Sequence, residues 1–261
     1  SFGHAAYLVI GAYAVGIPAY YDIYNGFLQF AIAILAAAAV ALVTGAIALR
    51  TKGVYFIMIT MAFAQMVYFT FVSIEEYGAD DGLTINMRSE FAGLLDIEDN
   101  FTLYYFVLAS LIAVLALVYR IVHSRFGMVI SGAKGNERRM QAIGFPTYRY
   151  RLACYVISGA ICGYAGALLG NFTNFITPEM GDWVHSGELI FMVVLGGAGS
   201  LFGPVLGTAV FILLEEYLSR LTQYWHFPFG AMLILVVIFT RGGINGMFRW
   251  LGAKSGIGGR S

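Results

Sequence analysis

Six polar side chains stand inside long apolar stretches, where they could contact a polar solute or hold helices together. They are His4, Tyr7, Tyr55, Thr60, Gln65 and Tyr68. An imidazole or amide in an apolar environment must find hydrogen-bond partners, so it faces protein or water rather than lipid. These positions are candidates for a translocation path. Hydrogen bonds between helices explain His4 and Gln65 about equally well.

The sequence contains no recognisable set of catalytic residues. The four histidines, His4, His123, His185 and His226, are far apart in sequence, and no G-x-x-x-x-G-K-[ST] phosphate loop occurs in the 261 residues. We therefore expect no catalytic residue, no metal and no cofactor. If ATP drives this protein, we expect its hydrolysis on another subunit.

Composition defines the elements that must position these side chains. The chain is 59% hydrophobic and 11% charged, with mean hydropathy +0.77, far outside the range of soluble domains. Because a spanning helix needs about 20 apolar residues, we predict an all-α polytopic bundle, a single transmembrane domain over 1–261. About eight spans are predicted, at 2–17, 27–49, 54–74, 103–122, 152–172, 184–200, 205–217 and 229–240. The sixth is compressed or partly re-entrant, and residues 173–186 before it read as an outer loop.

Charge segregation predicts the orientation. All but Arg88 and Arg220 of the 15 Lys and Arg residues fall on one side of these spans, and basic residues near span ends mark the cytoplasmic face. The segment 120–151 and the C-terminus are thus expected in the cytoplasm, and the acidic loop 75–102 outside the cell (inner) membrane. No Asp, Lys or Arg stands clearly away from a span end, which argues against an ion-driven carrier.

A short helix is predicted within the basic segment, over 136–143. Asn136 is a good N-cap, Met140 and Ile143 share a face, and Gly144 with Pro146 ends the helix. So short a helix is unstable alone in water, so either neighbouring membrane helices or a docked protein must hold it. Arg138 and Arg139 could instead serve only the positive-inside bias.

Four stretches together resemble the permease subunits of ATP-binding-cassette importers of the branched-chain amino acid type, specifically the LivM-like subunit. They are SFGHAAYL at 1–8 with GAY at 11–13, GVYFIMITMAFAQ at 53–65, KGNERRMQAIG at 134–144, and GGAGSLFGPVLG at 196–207. The second and fourth are specific, and the similarity covers nearly the whole chain. Such permeases usually begin further upstream, so we expect residues before Ser1.

The resemblance implies a permease that works by alternating access with a LivH-like second permease, two cytoplasmic ATPases and an extracytoplasmic solute-binding protein. It also implies that a coupling helix in segment 120–151 inserts into the ATPase. The expected coupling residues are Lys134, Asn136, Glu137, Arg138, Met140, Ala142 and Gly144. The family usually has an acid where Gly135 stands and small residues at 138–140.

Several functions remain open at this point. The substrate could be a branched-chain or related amino acid, urea, a short amide or an aromatic acid, because selectivity often resides in the separate binding protein. A channel or facilitator that needs no ATPase, or a structural membrane scaffold, would share the same composition. Membrane lipid is the expected surrounding, and nothing in the sequence indicates nucleic-acid binding.

Overall fold

Helices make up most of the computed structural model, which describes residues 1–91, 97–197, 199–221, 224 and 227–231. In chain order they are α1 (His4–Tyr20), α2 (Gly26–Ala48), α3 (Val54–Val72), α4 (Asn100–Val122), α5 (Arg125–Gly135), α6 (Glu137–Ala142), α7 (Thr147–Thr173), α8 (Trp183–Gly196) and α9 (Gly203–Leu221). Short 3₁₀ helices occur at Glu75–Tyr77 and Pro178–Gly181, and β1 (Leu83–Thr84) pairs antiparallel with β2 (Phe175–Ile176).

The prediction of a helical membrane protein is confirmed. Among the described residues, α2, α3, α4 and α7 are long and apolar enough to cross a bilayer, while α1 and α8 are shorter apolar helices. The count of eight spans stays a prediction. The C-terminal tail and all of the predicted eighth span except 229–231 lie outside the described residues. Contacts divide the chain into two compact units, Ser1–Ser186 and Gly187–Ser261.

The core of the first unit is the packing of α7 against α1 and α2. A Cβ added to Gly166 would lie 1.9 Å from the carbonyl oxygen of Leu8, and one on Gly163 would lie 2.4 Å from the Cβ of Ala37. On α2 the facing residues Ala33, Ala37 and Ala41 are fully buried. Small residues thus bring these helices into backbone contact. In lipid, where the hydrophobic effect does not favour association of helices, such close packing stabilises their contact.

The acidic segment is more ordered than the loop predicted over 75–102. Ser89 donates its backbone N–H to Asn171 Oδ1 at 2.8 Å, and its hydroxyl bonds the side chains of Gln29 and Asn171. Gln29 and Asn171 are both fully buried, so Ser89 supplies partners that these amides need. The segment therefore closes over the ends of α1, α2 and α7. Its last part is already helical, because Asp99 caps α4.

The predicted outer loop at 173–186 is wrong in its second half. Gly181 packs against the side chain of Val9, and the ring of Trp183 lies 6.5 Å from that of Phe2. Ala5 donates its N–H to Ser186 Oγ at 3.0 Å. Residues 178–186 thus run beside the first half of α1, so α8 begins inside the bundle rather than at its end.

The second unit contains a helical hairpin. α8 has 14 residues, about 21 Å at 1.5 Å per residue, which is shorter than the ~30 Å hydrocarbon core. Its C-terminal end packs closely on α9, where a Cβ on Gly207 would lie 2.1 Å from the carbonyl oxygen of Met192. Gly197, with φ of +99°, makes the turn. The sixth span of the sequence analysis is therefore a short helix, and its crossing of the membrane stays a prediction.

Gly166→Ala tests the backbone contact in the first unit. Alanine normally favours a helix over glycine by ~1 kcal/mol, yet here its methyl group would overlap the carbonyl of Leu8. Because overpacking costs roughly 1–3 kcal/mol, we expect a lower midpoint of thermal unfolding in detergent, measured by fluorescence-detected size exclusion.

The control is Gly135→Ala, since a Cβ there meets nothing within 4 Å. It should leave the midpoint unchanged or slightly raised. Equal midpoints for the two variants would contradict the packing described for α7.

Candidate coupling site and translocation path

Two helices, α5 and α6, occupy the basic segment. Ser124 caps α5 by accepting from Gly127 N, and Asn136 Oδ1 caps α6 by accepting from Arg139 N at 3.0 Å. Gly144, with φ of +92°, follows the end of α6. A helix thus lies where the sequence predicts one, and its role in coupling stays a prediction. α5 is missed by the sequence analysis, although Ser124 is a recognisable cap.

Glu137 connects α6 to two other parts of the bundle. Its Oε2 accepts from Lys52 Nζ at 2.6 Å, and its Oε1 accepts from Arg151 at 2.9 Å. Thr147 Oγ1 also donates to Oε1, at 3.3 Å, and itself accepts from Gln141 Nε2 at 3.0 Å. So short a helix needs support from other parts of the protein. In this chain α7 and the turn between α2 and α3 provide it.

This environment changes the acidity of Glu137. The hydrogen bond from Lys52 is the largest cause that lowers its pKa, partial burial opposes this effect, and the charge of Arg151 lowers the pKa further. The Glu137 side chain is 20% exposed, so water partly screens these interactions. Glu137 is ionised at neutral pH and holds both cations.

The expected coupling residues divide into an inner and an outer group. Glu137 and Met140 are partly buried, and Met140 lies over Gly132 of α5. The outer group is exposed and comprises Lys134, Asn136, Arg138, Ala142 and Gly144. Ile143 joins it, with a side chain that is 64% exposed. The outer group is the surface of the basic segment that another protein could contact.

A groove of about 510 Å³ borders this surface. Its lining comes from α5, α6 and the start of α7, and consists of Arg125, Met128, Val129, Met140, Phe145 and Tyr150. Phe145 and Met128 are exposed, so apolar surface lies next to the outer group. Apolar side chains beside exposed cations are typical of a protein-binding surface.

His4 and Tyr7 form hydrogen bonds that join helices, and their place in a translocation path stays a prediction. His4 Nε2 lies 3.0 Å from Ser158 Oγ. The Tyr7 hydroxyl lies 2.6 Å from Thr44 Oγ1 and donates to the Tyr155 hydroxyl at 2.9 Å. These contacts connect α1 with α2 and α7. Of the two explanations for His4 in the sequence analysis, this geometry favours the hydrogen bond between helices.

Gln65 makes a contact that the sequence analysis misses. Its Nε2 donates to Asp182 Oδ1 at 2.7 Å, and the same oxygen accepts from Trp183 N at 2.7 Å. Asp182 follows the 3₁₀ helix Pro178–Gly181. Its partner Gln65 lies within α3, seven residues before the helix ends at Val72. Asp182, which the sequence analysis assigned to the outer loop 173–186, thus lies beside α3 at the start of α8. The signal was an N-cap Asp before the apolar run of α8.

The remaining path residues do not gather at one point. Thr60 is fully buried and accepts from Phe2 N at 3.2 Å, whereas Tyr55 is 74% exposed near the start of α3. Tyr68 is partly exposed, about one turn beyond Gln65. Gln65, Tyr68 and Asp182 form one polar group beside α3, and His4 with Tyr7 form another. No shared binding pocket is formed by all six within the described residues.

Comparison with known proteins adds the family. Residues 1–237 match a family described as "Branched-chain amino acid transport system / permease component". The chain belongs to this family. The membership confirms the resemblance drawn from the four sequence stretches. No solved structure matches the chain.

Individual relatives agree with the family. The chain is 25% identical over 270 residues to the high-affinity branched-chain amino acid transport system permease protein LivM of Escherichia coli (strain K12), covering 95% of this chain and 64% of that protein. It is 25% identical to LivM of Salmonella typhimurium, with 97% and 65% covered. LivH of Escherichia coli (strain K12) is 32% identical over 143 residues, with 53% and 46% covered. The chain thus spans less than two thirds of the length of these LivM proteins.

Glu137→Gln tests the contacts that hold α6. Loss of the charge weakens both ion pairs, and partly exposed pairs contribute about 0.2–1 kcal/mol each. We expect hydrogen exchange of the α6 amides, measured by mass spectrometry, to rise by between about twofold and thirtyfold at pH 7. Arg138→Gln, on the exposed side of α6, should leave that exchange unchanged.

The pH dependence follows from the lowered pKa. The stabilisation by Glu137 is complete above the usual glutamate range, near 4.3, and is lost as pH falls through its lower value in the folded protein. In the unmodified chain, exchange corrected for its intrinsic rate should therefore increase only in acid. Glu137→Gln should lack that increase, and an identical acid response in both proteins would refute the assignment.

Proposed function

We propose that this chain is the transmembrane permease subunit of an ATP-driven importer for branched-chain or related amino acids. The observation that carries the proposal is the family match over residues 1–237. Two features of the chain support it. No phosphate-binding loop occurs in its sequence, and a capped helix with an exposed outer face stands in its basic segment.

The complete transporter contains two permeases, two ATPases and a solute-binding protein. The basic segment faces the cytoplasm, because cationic residues near span ends are retained there. α6 with the bordering groove contacts the ATPase, and ATP binding and hydrolysis move α6 and the helices attached to it. The polar group beside α3, Gln65, Tyr68 and Asp182, lines the path that alternately opens to the two sides of the inner membrane.

The opposite end of the first unit receives the binding protein. Glu75, Glu76, Asp80, Asp81 and Glu90 are exposed there, and they give this end a strongly negative surface. A partner with complementary basic residues would be oriented by this charge, which increases the rate of association more than the final affinity. Substrate selection would then rest largely with that partner.

Reconstitution tests the function. The chain is placed in proteoliposomes with its second permease, ATPases and binding protein, and uptake of labelled leucine, isoleucine or valine is measured, with urea, a short amide and phenylalanine as competitors. We expect uptake only with ATP and the binding protein. Uptake of these solutes by the chain alone without ATP would overturn the proposal in favour of a facilitator, and no uptake in either assay would favour a scaffold.

Ala142→Trp tests the contact with the ATPase. Ala142 is exposed on α6, so a large side chain there is tolerated by this chain but obstructs a protein seated on the helix. We expect the amount of ATPase that co-purifies to fall at least tenfold, while the midpoint of thermal unfolding of the permease stays unchanged. Ala142→Ser should behave as the unmodified chain, and normal ATPase recovery with Ala142→Trp would contradict the contact.

A further inference from the structure

The ion pair between Lys52 and Glu137 joins α6 to the helix that carries the polar group of the path. Lys52 lies in the turn between α2 and α3, two residues before α3 begins at Val54. Its ammonium group is 2.6 Å from Glu137 Oε2. We propose that Lys52 and Glu137 are positioning residues that transmit the displacement of α6 to α3. This proposal rests on the proposed function of the chain.

Glu137 is held on its other side by the rigid part of the bundle. Arg151 and Thr147 both belong to the first turns of α7 and bond Glu137 Oε1. α7 is the helix in backbone contact with α1, and Tyr148 further fixes its start by donating to the carbonyl oxygen of Ala46 in α2, at 2.8 Å. The two oxygens of one carboxylate therefore contact a firmly packed helix and the turn before α3.

α3 is suited to be the moving element. Only Thr60 and Ala64 of its 19 residues are buried, so few packing contacts oppose a shift of this helix. Gly53 stands between Lys52 and the helix with φ of +64°, and no loop of any length separates them. A displacement of Lys52 is thus passed to the first turn of α3. The same helix carries Gln65, about three turns further along, with its bond to Asp182.

The high exposure of the Lys52 side chain limits what its ion pair with Glu137 contributes to folding stability. The Lys52 side chain is 72% exposed, against 30% for Arg151 and 20% for Glu137. Exposed ion pairs contribute little to folding stability, so this one can break and form again during a transport cycle without unfolding the chain. A contact present in one state and absent in the other biases the equilibrium between them.

Lys52→Gln in the complete reconstituted transporter tests the proposal. Glutamine has a similar length but no charge, and Glu137 keeps Arg151 and Thr147, so α6 stays in place. The measured quantity is the amount of amino acid imported per ATP hydrolysed. We expect it to fall by between about 1.4-fold and fivefold, the range that an exposed ion pair can provide, with normal recovery of the ATPase. Lys52→Arg should retain most of the import.

Arg50→Gln is the matched control, because Arg50 is an exposed cation in the same turn with no ion pair among the described residues. It should import normally. If Lys52→Gln also imports normally, or if Arg50→Gln loses as much, the proposal is wrong while the proposed function stands. Failure of the unmodified complex to import would instead overturn the proposed function.

A double-mutant cycle separates transmission from a general structural effect. Lys52→Gln combined with Glu137→Gln should lower import per ATP no further than Glu137→Gln alone, because the single change already removes the pair. Losses that multiply would show that the two residues act independently, and the assignment of a transmitting pair would be overturned.

Discussion

The backbone contact of α7 with α1 and α2 is the constraint on which the other features depend. Gly166 approaches the carbonyl of Leu8 and Gly163 approaches Ala37 at distances that leave no room for a side chain. Such contact fixes the three helices as one body, and the hydrogen bonds of Tyr7 with Thr44 and Tyr155 form within it. Small residues at the interface thus set the position of the polar ones.

Elements outside this body are attached through polar side chains. Ser89 ties the acidic segment to Gln29 and Asn171, Gln65 ties α3 to Asp182, and Glu137 ties α6 to its neighbours. Polar contacts of this kind are directional and can be exchanged one for another, whereas packed glycines cannot. The first unit therefore combines a tightly packed part with attached parts whose contacts can change.

Helices were predictable from the sequence because runs of apolar residues are a direct signal. The cap at Asn136 and the stop at Gly144 placed the short helix within one residue of α6. Contacts between distant segments were not predictable in this way. Nothing local indicates that Asp182 bonds Gln65, 117 positions away, or that Lys52 reaches Glu137, since neither spacing nor periodicity records which helices become neighbours.

The position of residues 178–186 beside α1 was not predicted from the sequence, for a related reason. Pro178, Glu179 and Asp182 have the composition of an exposed turn, and only the close approach of Gly181 to Val9 explains their position. Conversely, His4 was expected to face protein or water rather than lipid, and it lies 3.0 Å from Ser158 Oγ of α7. Whether a group facing protein also contacts solute depends on geometry that a single sequence does not contain.

The sparse burial of α3 has a consequence for biogenesis. Of the four described helices that are long and apolar enough to span a bilayer, α3 has the lowest mean hydropathy, 1.7. It exposes aromatic and polar side chains such as Tyr55 and Thr70. On insertion, this helix presents these side chains to its surroundings instead of burying them in the bundle. The lipid-facing side of α3 is thus less apolar than that of the other spanning helices, which makes its insertion as a separate helix the least favourable of the four.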